Sequence, residues 1–151
     1  MRPEHLATDQ AFDQFLRGFE NGTLPKAEWT HGAHLAAAAC YLHGSSYEAV
    51  LPLMRQRIRA YNESVGGQNT PTSGYHETLT RFWLLVLVAF LAEHQPKTPL
   101  TAAQLAVATY GEERALHTRY YSWDVVSDSD ARLGWREPDL IRIMSGQHPL
   151  D

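Results

Sequence analysis

Apolar positions along this chain recur at intervals of three and four residues, and almost nowhere at the two-residue alternation of a half-buried strand. Phe12, Phe15, Leu16 and Phe19 make one such stripe, so a first helix is expected from Thr8 to Glu20, capped by Thr8 or Asp9 and ended by "NGTLP". A second should start near Pro25, a residue favoured in a first helical turn, and run through "AAAACYLH" to Gly44. "SSYE" sets Ser45 three positions before Glu48, a capping box for a third helix to about Val65, with Pro52 inside its first turns where a local kink is compatible. The loop "GGQNTPTSG" leads into a fourth helix from about Tyr75 to His94. Its 11 consecutive apolar residues, Phe82 to Ala92, suit a central helix buried all round and are too few to span a bilayer. Thr101 can cap a fifth helix ending at Gly111, and a short sixth is expected over Glu112 to Tyr120. Beyond Tyr121 the periodicity stops, and "SWDVVSDSDARLGWREPDL" reads as loop with one short helical turn.

The fold class expected is therefore all-α: one helical domain over residues 1–151, a bundle of five or six helices with an irregular C-terminal segment. Composition agrees, since 44% apolar and 20% charged residues are globular proportions. A net charge of −4 and scattered basic residues argue against a nucleic-acid partner. Arg55, Arg57 and Arg59 alternate and so point around a helix rather than along one face. The single cysteine, Cys40, lies in an apolar run and reads as a small buried hydrophobe. With no apolar leader at the N-terminus, a cytoplasmic protein without a membrane partner is expected.

The candidate chemistry lies in two segments. "WTHGAHL" sets His31 and His34 three apart on one helix face, where two imidazoles can converge on one ion. "SGYHETLTRFW" puts His76 and Glu77 at the start of the apolar fourth helix, where polar groups are costly to bury. If the helices lie side by side, His31, His34 and His76 are the candidate ligands of one divalent metal, zinc first and iron or manganese next. Glu77 is the candidate general base, with His76 and Tyr75 as catalytic partners. Asn62, Asn69 and Arg132 are candidate substrate contacts, Arg132 through a bidentate hold on a carboxylate or phosphate. Each also has a structural reading. Glu77 offsets a helix dipole and can pair with Arg81; His76 can bond Thr80; Arg132 can tie down the tail through Asp128 or Asp139. His117 is a further candidate ligand, while His5, His43, His94 and His148 fall at helix ends or in loops and need no function.

On these residues the chain resembles an uncharacterised family of small all-helical bacterial proteins. Its members carry Trp-Thr-His-x-x-His-Leu, Gly-Tyr-His-Glu-Thr and Ser-x-x-Ala-Arg-x-x-Trp-x-x-Pro-Asp-Leu segments. The first two are intact here. The third departs at its first position, where Asp128 replaces the serine, and agrees from Ala131 to Leu140. The resemblance implies a shared site without naming its chemistry. A looser likeness is to metal-binding bundles of the DinB type, in which the paired histidines come late rather than first.

Three functions are compatible with these patterns. The first is a metal-dependent enzyme acting on a small molecule by hydrolysis, group transfer or isomerisation. The second is a metal-free ligand or acid–base site at His76 and Glu77. The third is a helical interaction module, including a homodimer, in which the histidines are structural.

Overall fold

A side chain or a proline stands at the start of every helix, because the first N–H groups of a helix have no partner within it. The computed structural model describes residues 1–143. Among them are α1 (Asp9–Asn21), α2 (His31–Gly44), α3 (Tyr47–Ser64), α4 (Glu77–His94), α5 (Pro99–Tyr110) and α6 (Ser129–Leu133), with no strand. Thr8, Thr30, Ser46 and Thr98 cap α1, α2, α3 and α5, each accepting from the backbone N–H three residues on. Asp128 caps α6 in the same way, and the ring of His76 caps α4.

Four starts differ from the expectation, each for a local reason. Pro25 begins only a 3-10 turn, Lys26–Glu28, because Trp29 and Thr30 are extended and Thr30 opens α2 afresh. Ser46 rather than Ser45 caps α3, which leaves Glu48 one position too early for the reciprocal half of a capping box. Thr98 rather than Thr101 caps α5, with Pro99 in its first turn. His76 caps α4 instead of lying within it. The helix expected over Glu112 to Tyr120 is reduced to a 3-10 turn at Leu116–Arg119, and α3 continues through Pro52.

α2 packs most extensively on α5. Ala33, Ala36, Ala37 and Ala39 face Ala102, Ala103 and Ala106, all fully buried, and small side chains let the two helices approach closely. Phe12, Phe15 and Phe19 bring α1 onto this core. Burying Phe15 and Phe19 to 1% exposure contributes about 2–3 kcal/mol each. α4 runs through the middle, buried along most of its length, although Ala89 and Ala92 reach the surface in its last turns. No helix among the described residues is long and apolar enough to cross a membrane.

A second apolar cluster lies on the far side of α4. Phe82 and Val86 meet Tyr121, Val125 and Ala131 from the C-terminal segment, which is thus a packed strap rather than a loose tail. Three hydrogen bonds fasten it to the start of α4. His76 Nε2 donates to Val125 O at 2.8 Å, Thr78 Oγ1 donates to Gly134 O at 2.8 Å, and Arg136 N donates to Thr78 Oγ1 at 3.0 Å.

Candidate functional site

Between α2, α3, α4 and the strap lies a cavity of about 590 Å³, the size of a small-molecule pocket. Residues of all three sequence segments line it: Trp29, His31 and His34 from the first, Tyr75 and His76 from the second, and Arg132 from the third. The hydrophobic wall comes from Leu35, Met54, Ile58, Leu84 and Leu87, with Trp83 closing one side.

His34 sits in this wall, packed by protein except where it faces the cavity. Its ring lies 4.1 Å from that of Trp29, which in turn stacks on Phe19 at 4.1 Å. Among the described residues no hydrogen-bond partner reaches either nitrogen of His34. Burial, aided by the neighbouring His31 and Arg114, pushes its pKa down to about 3, so it faces the cavity as a neutral imidazole with one donor and one acceptor. His31, in the first turn of α2, packs edge-on against Trp83 and donates Nε2–H to Tyr110 O at 3.1 Å. Burial lowers its pKa against the opposing effect of that bond.

His76 is fully engaged. Its Nδ1 accepts from Leu79 N at 3.2 Å, which leaves the proton on Nε2 to donate to Val125 O. It holds both α4 and the strap, and cannot bind an ion without giving up its cap. Among the described residues no group of three or more His, Cys, Asp or Glu side chains is arranged to hold a metal ion. Of the three expected ligands, His31 and His34 keep ring nitrogens outside any hydrogen bond among the described residues, whereas both nitrogens of His76 are taken by the backbone.

Glu77 also differs from the expectation. It is buried but does not line the cavity, because its carboxylate turns to α3 and receives Arg55 Nε at 2.9 Å, Arg55 Nη2 at 2.7 Å and Tyr75 Oη at 2.7 Å. Burial raises its pKa, yet these bonds from Arg55 and Tyr75 outweigh burial and leave it below the usual carboxylate range. A carboxylate so held is a clasp rather than a proton acceptor, and the pairing of His76 with Glu77 as acid and base does not form. Arg81, the expected partner, stands 3.9 Å away and donates instead to Tyr47 Oη. Tyr75 does line the cavity, although its hydroxyl is committed to Glu77; burial and that bond raise its pKa.

Asn62 lines the cavity and donates to Asn69 Oδ1 at 3.0 Å. Asn69 itself lies off the cavity and organises the loop, accepting from Tyr75 N and donating to Arg59 O and Glu63 Oε2. A Cβ at Gly74, whose φ is +77°, would lie 2.4 Å from Gln68 O, so this turn needs glycine. Arg132 lines the cavity but gives Nη1 to Gly74 O at 2.6 Å and Nη2 to Val126 O at 3.2 Å. It ties the strap down as the structural reading expects, through carbonyls rather than Asp128 or Asp139.

Among the other histidines, His117 lines the cavity with a buried Nδ1 that lacks a hydrogen-bond partner. His5 bonds Glu28, His43 bonds Pro96 O, His94 bonds Phe90 O, and His148 lies outside the described residues. Cys40 is half-buried, and burial together with Glu20 raises its thiol pKa to about 11, which leaves it unreactive at neutral pH.

Sequence reasoning missed Arg114, Trp29 and Trp83 as parts of the wall and Arg55 as the partner of Glu77. Trp29 stands inside a motif already singled out. For Arg114, at the exposed rim after α5, no local pattern marks a role. Comparisons with family models, curated proteins and solved structures find no match to this chain.

Proposed function

We propose that this chain binds a small organic molecule in the cavity without needing a metal, with His34 as the hydrogen-bonding group that meets it. One observation carries the reading: three segments far apart in sequence converge on one pocket whose floor holds an imidazole with no protein partner. Its ring is open to the cavity, so a ligand that enters can take up these hydrogen bonds in place of solvent, at about 0.5–1.5 kcal/mol each. The low proton affinity of His34 favours a donor–acceptor role over general-base chemistry, so binding stands ahead of catalysis.

A fragment screen read by NMR tests this. Hits are expected to shift the indole N–H signals of Trp29 and Trp83, and Ala38→Phe, which fills the cavity from α2, is expected to abolish those shifts while leaving the fold intact. Hits that leave both indoles unmoved, or that survive Ala38→Phe, overturn the reading.

A further inference from the structure

The charged side chains of the cavity wall have one sign. Arg114 and Arg132 line it beside the imidazoles of His31, His34, His76 and His117, and among the described residues no aspartate or glutamate does. Asp124 and Asp128 act on His117 and His76 electrostatically but stand outside the wall. The chain as a whole carries a net charge of −4, so a cavity of this character is not a sample of its average surface.

Two further features act in the same direction. Residues at the starts of two long helices line the cavity, Thr30 and His31 of α2 and the capping His76 of α4, so the positive ends of both dipoles lie near it. The Arg114 side chain has no hydrogen bond or ion pair among the described residues, while Arg2, Arg17, Arg55 and Arg57 are each paired with a carboxylate. It lines the same cavity as His31 and His34. Trp29 Nε1–H, in the same wall, is buried without an acceptor.

We infer that the ligand is a small organic oxyanion, a carboxylate or phosphate on a planar apolar body, with the charge at the Arg114 rim and the body between Trp29, Trp83 and the leucine wall. This deepens the binding reading above and rests on it. A planar apolar body suits a cavity whose apolar lining combines Trp29 and Trp83 with Leu35, Leu84 and Leu87. An oxyanion supplies acceptors where the wall offers donors and no competing acid. Arg114 is the selecting residue because, unlike Arg132, its guanidinium is not already bonded to backbone carbonyls.

The test is a calorimetric titration of the full chain with three probes of one shape: 2-naphthoate, 2-naphthyl phosphate and the neutral 2-naphthamide. At least one anion is expected to bind about tenfold tighter than the amide, and the larger of the two preferences tells carboxylate from phosphate. Arg114→Gln, at an exposed site without structural partners, is expected to reduce that preference to within about threefold while the amide keeps its affinity. Equal binding of all three probes to the wild type overturns the anion inference and leaves the pocket reading standing. So does a charge preference unchanged in Arg114→Gln, because the selecting group then lies elsewhere. If none of the probes binds and the fragment screen also yields no cavity hits, the pocket reading falls and takes this inference with it.

Discussion

At the start of α2, His34 lines the cavity, and among the described residues its ring has no hydrogen-bond partner. At the start of α4, His76 commits both, one to Leu79 N and one to Val125 O. Beside it, Glu77 is equally committed, to Arg55 and Tyr75. Two segments of similar composition thus divide into a face open to the cavity, which we propose receives a ligand, and a clasp that builds the room. The distinction lies in satisfaction rather than in residue type. A buried polar group whose partners are all internal stabilises the fold, whereas one left unpaired beside a cavity marks where something else is to be bonded.

Acid should separate the two regions most strongly. Burial depresses the proton affinity of His31, His34, His76 and His117, so below about pH 6.5 the unfolded chain takes up protons that the folded chain refuses. Stability is therefore expected to fall as pH drops from 6.5 toward about 3, the value for His34. Glu77 adds a second window, because the stability its clasp contributes is present above its ordinary value of 4.5 and is lost as pH falls through its lower folded value. Urea midpoints measured from pH 8 to 3.5 should decline in those two stages. A profile flat from pH 7 to 5 contradicts the histidine stage.

A smaller effect is expected at neutral pH from Glu77→Ala, which strips Tyr75 Oη of its acceptor and Arg55 of its partner. The Arg55 side chain is 41% exposed and can turn to water, so the loss should be about 2 kcal/mol rather than the larger figure for a fully enclosed pair. Chemical denaturation checks it, and an unchanged midpoint would mean that the clasp holds nothing.

The smallest change belongs to His34→Phe. An apolar ring in place of an unpaired imidazole should alter stability at pH 7 by less than about 1 kcal/mol in either direction. It should also make the histidine stage of the acid profile shallower, leaving the part due to His31, His76 and His117, and remove fragment binding. A loss of several kcal/mol on denaturation would move His34 from the receiving face to the scaffold.

The helical architecture was legible because its signals are local. The phenylalanine stripe of α1, the apolar run of α4 and the Gly-Pro-polar breaks between helices each declare themselves within a dozen residues. Convergence of the histidine segments was legible as well, through the polar groups placed at the start of so apolar a helix. Their division of labour was not, because it turns on Val125 and Arg55, 49 and 22 positions away from their partners. The strap escaped for the same reason. Trp123 bonding Asp128, Ser122 bonding Asp139 and Tyr121 bonding Arg136 O give it an internal order with no repeat to read.

Thr78, fully buried and gripped between Gly134 and Arg136, has a consequence for how the molecule is assembled. On a ribosome α1 to α5 emerge before the strap, so a nascent chain shows Phe82 and Val86 to its surroundings until Tyr121, Val125 and Ala131 have followed. A chain cut short before Tyr121 would keep those five helices while losing Val126 and Arg132 from the wall of the room they enclose.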